Sequence, residues 1–160
     1  MKAGDEMKKK VVLGIGNRLM SDEGVGVRIV ERLKEESGKY SEVEFLEAGT
    51  GGFSVIHLIR SREKAVIIDC AYMGEKPGTM RRFLPDEVKS IKEVSGQSLH
   101  ESDILKVIEM SQQLGDGPRE VVFFGIEPEY VGAGDKLSDT IEKRFEEYIR
   151  IITEELTQKR

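Results

Sequence analysis

Three short stretches of the chain are apolar almost without interruption: "KKVVLGIG" (9–16), "KAVIIDC" (64–70) and "REVVFFGI" (119–126). Runs of this length, rich in valine and isoleucine, predict strands buried on both faces of a parallel sheet, since a half-exposed strand would alternate. "VEFLEA" (43–48) does alternate, and "TMRRFLP" (79–85) predicts an edge strand, antiparallel to its neighbour. Helical periodicity fills the intervals. Over 24–36, Val25, Ile29, Val30 and Leu33 share one face, opposite Arg28, Glu31, Arg32, Glu35 and Glu36. Over 138–156, Ile141, Phe145, Tyr148, Ile149, Ile152 and Leu156 form an apolar stripe behind an Asp139/Glu142 capping box. Shorter helices are predicted near 53–61 and 101–114. Strands alternating with helices predict an α/β fold: one domain over residues 1–160, three α/β/α layers, and a mostly parallel twisted sheet of about five strands.

Composition narrows the functions open to such a domain. With 25 basic and 30 acidic residues the net charge is -5, which provides no electrostatic footprint for nucleic acid. No apolar run approaches the roughly 20 residues of a membrane span. The opening "MKAGDEMKKK" mixes charges of both signs and lacks the apolar core of a secretory leader. Cys70 is the single cysteine, so an intrachain disulfide framework and a Cys-rich zinc site are both excluded. These features predict a cytoplasmic protein.

The chemistry concentrates where the first predicted strand ends, in "GIGNRLMSDEGVGVRIV" (14–30). Gly14 and Gly16 begin a G-x-G-x-x-G dinucleotide turn, but Leu19 stands at the third glycine, and Asp22 and Glu23 follow where a phosphate needs donors. In an open α/β sheet, ligands sit beyond the carboxyl ends of the strands, at the point where successive crossovers leave to opposite sides. Strands 9–16 and 64–70 are the natural neighbours there, so Asn17, Asp22, Glu23 and Asp69 are expected to converge. Three carboxylates together require a cation, or a proton held on one of them. The turn therefore predicts a metal ion or acid–base work rather than phosphate.

Oxygen ligands favour hard cations, and an added imidazole shifts preference toward zinc, iron or nickel. His57, in a predicted helix, reads as a partly exposed helix residue. His100 lies in "EVSGQSLHESD", a Ser- and Gly-rich loop before a helix, and reads equally as a ligand or as a solvated residue. Position 104 is Ile, so "HESDI" fails the H-E-x-x-H zinc-peptidase pattern. Taken singly, Glu23 also reads as a carboxylate at a helix start, Asn17 as a left-handed turn residue, and Gly24 and Gly26 as close-packing positions. Asp69, ending an apolar strand, is costly to bury without a partner.

Taken together, "GIGNRLMSDEGVGVRIV", the strand end "IIDC" and the loop "SLHESD" resemble the nickel–iron hydrogenase maturation endopeptidases. "EAGTGGF" (47–53), "KPGTM" (76–80) and "GIEPEY" (125–130) extend the resemblance over all but about the first eight residues. It implies a phosphorylase/hydrolase-like α/β/α domain. It also implies a nickel-reading site formed by Glu23, Asp69 and His100, which are both metal ligands and catalytic residues, with either carboxylate as general base. The implied substrate is the nickel-loaded precursor of a hydrogenase large subunit, which loses a short C-terminal extension. Nickel would arrive with the precursor, with cadmium or zinc substituting in vitro, and the enzyme would act as a monomer. A nickel-sensing chaperone without catalysis, a metal-dependent hydrolase of another substrate and a modified nucleotide-binding fold are the alternatives.

Overall fold

A computed structural model describes residues 8–50, 52, 54–87 and 99–158, with the side chains of residues 99–103 outside that description. The strands β1 (Lys10–Gly14), β2 (Val43–Glu47), β3 (Lys64–Cys70), β4 (Met80–Phe83) and β5 (Glu120–Ile126) form one sheet in the order β2-β1-β3-β5-β4. All pairings are parallel except β4 with β5. Each predicted strand is present, and β4 is the antiparallel edge.

Strand burial follows the sequence pattern. Alternate residues of the central strands feed two separate cores. Val12, Val66, Ile68, Val122 and Phe124 pack beneath α1 (Val25–Lys34) and α4 (Asp139–Thr157). Val11, Leu13, Ala65, Ile67, Val121 and Phe123 pack beneath α2 (Val55–Ile59) and α3 (Leu99–Gln113). Helices on opposite faces, with β1 and β3 side by side, make the β1/β3 boundary the switch point.

Three element boundaries differ from expectation. The predicted helix at 24–36 divides into a 3₁₀ turn, Ser21–Gly24, and α1. Glu23 therefore lies in the tighter turn before the α-helix. The cap of α4 is Ser138, whose hydroxyl accepts from the Ile141 amide at 3.5 Å, so Asp139 is the first helical residue and the expected capping box is displaced by one. Helix α3 begins at Leu99, which puts the His100 backbone in the first helical turn rather than in a loop. Gly96 is the last glycine before that helix, and nothing in "SLHESD" opposes helical geometry.

At the amino end of the sheet, far from the switch point, a buried ion cluster ties α4 to two strands. Lys64 Nζ lies 2.5 Å from Glu155 Oε2, and Arg82 Nε lies 2.6 Å from Glu155 Oε1. Burial alone would push the Glu155 carboxyl up, but the hydrogen bonds from Arg82 and Lys64 outweigh it and hold the group below its ordinary value. A carboxyl held low stabilises the fold at neutral pH, and that contribution fades as pH falls below about 4.3 through the folded-state value. Glu155→Gln leaves Lys64 buried beside a neutral amide. It should lower unfolding free energy by about 3 kcal/mol. Urea titrations at pH 7 and pH 3 check this: the deficit should be large at pH 7 and shrink at pH 3, and an equal deficit at both values would contradict it.

Candidate active site

The turn after β1 is built around close backbone approach. Gly16 has φ 133°, and an added Cβ there would overlap the Glu23 carbonyl. A Cβ at Gly26 would meet the Ile68 carbonyl oxygen and stand 2.9 Å from that of Ile15. The first turn of α1 thus rests directly on the carboxyl end of β3. Glu23 precedes that contact by three residues and Asp69 follows Ile68, so one packing constraint brings both carboxylates to the same edge. Glu23 is half-buried and Asp69 is buried.

Asp22 does something else. It is fully buried, and its carboxylate accepts four hydrogen bonds from the loop between β5 and α4. Oδ2 accepts from the amides of Glu129 and Tyr130, both at 2.9 Å, and from the Ser138 hydroxyl at 2.8 Å. Oδ1 accepts from the Ser138 amide at 2.7 Å. The expected convergence of Asp22, Glu23 and Asp69 is present, since all three act on the Cys70 thiol, but Asp22 is held there by backbone and hydroxyl donors rather than by a cation. Asn17 is exposed and its Oδ1 accepts from the Leu19 amide at 2.9 Å, a local side-chain turn. The left-handed residue of this segment is Ser21, at φ 53°.

Glu127 repeats the device for the loop after β3. Its Oε1 accepts from the amides of Met73 at 2.7 Å and Glu75 at 3.0 Å, and it is buried. Tyr148 supports the same loop, donating its hydroxyl to the Gly78 carbonyl at 2.5 Å. Burial pushes the Tyr148 hydroxyl up to about 12, so it remains a donor. Local sequence carries no sign that Asp22, Glu127 and Ser138 act as supports, because their partners lie on distant segments. The only hint was that "GIEPEY" and "KPGTM" belong to the same pattern as the glycine turn.

Cys70 sits inside this acidic surround. Burial first, and then the carboxylates of Asp69, Asp22, Glu23 and Glu127, push its thiol far above the ordinary range. A thiol that stays protonated is no nucleophile. His57 is exposed on α2, as expected. The His100 side chain lies outside the described residues, so the structure bears on its ligand role only through its backbone, at the start of α3. Among the described residues no group of three His, Cys, Asp or Glu side chains is arranged to hold a metal ion.

A half-buried and a buried carboxylate thus stand at the switch point of the α/β sheet, where ligands of such sheets bind. Comparison with known proteins makes this specific. The family model "Hydrogenase maturation protease" (HycI) matches residues 27–155, and the chain belongs to that family of peptidases. It is 36% identical over 149 residues to the hydrogenase expression/formation protein HupD of Thiocapsa roseopersicina, covering 92% of this chain and 67% of that protein. It is 32% identical over 140 residues to the hydrogenase 2 maturation protease of Escherichia coli, covering 85% and 83%. Its fold is similar to that of the hydrogenase maturating endopeptidase HybD from E. coli, with TM-score 0.80 and 28% identity, over 92% of this chain and 91% of that one.

Two outcomes follow from the geometry. Asp22→Ala strands four donors in a closed site, so it should cost about 3 kcal/mol or more in urea unfolding, whereas exposed Asn17→Ala should cost under about 1 kcal/mol. Native Cys70 should resist iodoacetamide at pH 8 and react promptly in urea, as mass spectrometry would detect. Rapid native alkylation would show that burial and the surrounding carboxylates do not suppress the thiolate.

Proposed function

We propose that the chain removes the C-terminal extension from a nickel-loaded hydrogenase large-subunit precursor, with Glu23, Asp69 and His100 reading the metal and completing the site. The observation that supports this reading is the placement of Glu23 and Asp69 at one sheet edge, both within electrostatic reach of Cys70, in a member of the maturation protease family. Two carboxylates and one imidazole suit a weak, open site that samples nickel held by another protein; a permanent four-ligand zinc site has a different composition. Hydrolysis requires water to add to the scissile carbonyl carbon as the C–N bond breaks, with a base accepting the water proton and the departing amine gaining one. Glu23, half-buried, meets solvent and serves as that base; Asp69, buried and on a rigid strand, serves as the fixed ligand. Both come from one chain, so a monomer suffices. The single cysteine accords with a cytoplasmic setting.

The test is cleavage of precursor with and without nickel, followed on gels. Wild type should cut only the loaded precursor. Glu23→Gln and Asp69→Asn should each slow cutting by about 10² or more, since neither amide replaces a carboxylate base or ligand. His100→Ala should lose nickel binding in calorimetry, and His57→Ala should retain it. Binding without cleavage would identify a nickel sensor, and rapid cutting of nickel-free precursor would refute metal reading.

A further inference from the structure

Large apolar side chains exposed among the described residues include Leu19 (63% exposed), Tyr72 (45%) and Tyr130 (57%). These three stand on the loops that follow β1, β3 and β5, the same edge that carries Glu23 and Asp69. Their backbone is held at each place by polar anchors. The Leu19 amide donates to Asn17, the Tyr130 amide donates to Asp22, and the residue after Tyr72 donates its amide to Glu127. The Leu19 and Tyr130 loops are also laced together. Gly134 N–H donates to the Leu19 carbonyl at 2.9 Å, Asp22 N–H donates to the Tyr130 carbonyl at 3.2 Å, and the Ser21 hydroxyl donates to the Gly132 carbonyl at 2.9 Å. The Tyr130 ring leans over Gly132, where an added Cβ would stand 2.7 Å from Cζ. Apolar side chains presented to water on braced loops lose little entropy on binding, which is how preorganised recognition surfaces work.

We infer that Leu19, Tyr72 and Tyr130 form an apolar rim that seats an extended apolar segment of the substrate polypeptide beside the scissile bond. This rests on the proteolytic reading above. Its occupant is a peptide segment because the rim adjoins the two carboxylates proposed to act on one. Charge selects which segment. Glu23, Asp69 and exposed Glu129 outnumber the nearby cation Arg28, and Arg18 is paired with Glu31, so the edge is acidic. An acidic segment is therefore excluded, while the apolar rim itself selects for uncharged side chains at the positions it touches. The rim contributes ground-state binding, not transition-state chemistry.

The experiment compares nickel-loaded precursor with wild type and with Leu19→Ser, Tyr72→Ser and Tyr130→Ser, measuring Kd by biolayer interferometry and kcat and KM by cleavage. Each variant changes an exposed side chain, and circular dichroism melts verify folding. Each should raise Kd and KM by about tenfold with kcat within about twofold, the pattern of lost uniform binding. Leu84→Ser and Leu114→Ser, exposed elsewhere, should change neither. A precursor with aspartate at the apolar positions flanking the cut should bind weakly to wild type. Unchanged Kd in all three rim variants, or a fall in kcat at constant KM, would overturn the rim. Should wild type bind without cutting while the rim variants lose binding, the rim stands and the proteolytic reading fails.

Discussion

The Asp22 carboxylate is the joint on which the carboxyl edge of this sheet depends. It is one residue from Glu23, has no exposed surface, and takes all its donors from a loop more than a hundred residues away. A buried charge of this kind is tolerated only when fully hydrogen-bonded, and the bonds it accepts are of the strong, charge-assisted type. Its effect is geometric. By fixing residues 129–138 against the turn, it holds in one place the 3₁₀ segment that carries Glu23.

Glycine contacts set the other half of the geometry. Gly26 lets α1 descend onto the end of β3, and Gly16 lets the chain fold back over the Glu23 carbonyl. A sequence that begins like a dinucleotide turn thus uses its glycines for backbone closeness alone. The turn amides of Met20, Ser21, Asp22 and Glu23, which a phosphate would have needed, donate instead to backbone carbonyls, and a carboxylate is buried among them. At the opposite end of the sheet, the Lys64–Glu155–Arg82 cluster fastens α4. Each end of the sheet thus has its own buried carboxylate anchor, Glu155 at one and Asp22 at the other.

How much of this was legible in the sequence depends on the range of the interactions involved. The strands at 9–16, 64–70 and 119–126 were readable because burial on both faces leaves a continuous apolar run, and 79–85 was readable as an edge because it mixes arginine with apolar residues. The meeting of Glu23 and Asp69 followed from topology, since crossover handedness fixes which strand ends adjoin. The role of Asp22 was hidden: nothing local tells a buried acceptor of backbone amides from a metal ligand, and its partners are 107 to 116 positions away. The cap of α4 was misread by one residue because Ser138, Asp139 and Glu142 all suit a helix start, and only the second bond of Ser138, to Asp22, decides among them. The left-handed position fell on Ser21 rather than Asn17, because the Asn17 side chain satisfied the turn by itself.

The span of the Asp22 contacts also bears on biosynthesis. The turn carrying Glu23 is synthesised more than a hundred residues before the amides and hydroxyl that Asp22 accepts from, those of residues 129, 130 and 138. Until they arrive the carboxylate must stay hydrated, and the turn cannot close against β3 in its final form. A nascent or truncated chain therefore carries its acidic residues without the scaffold that aims them.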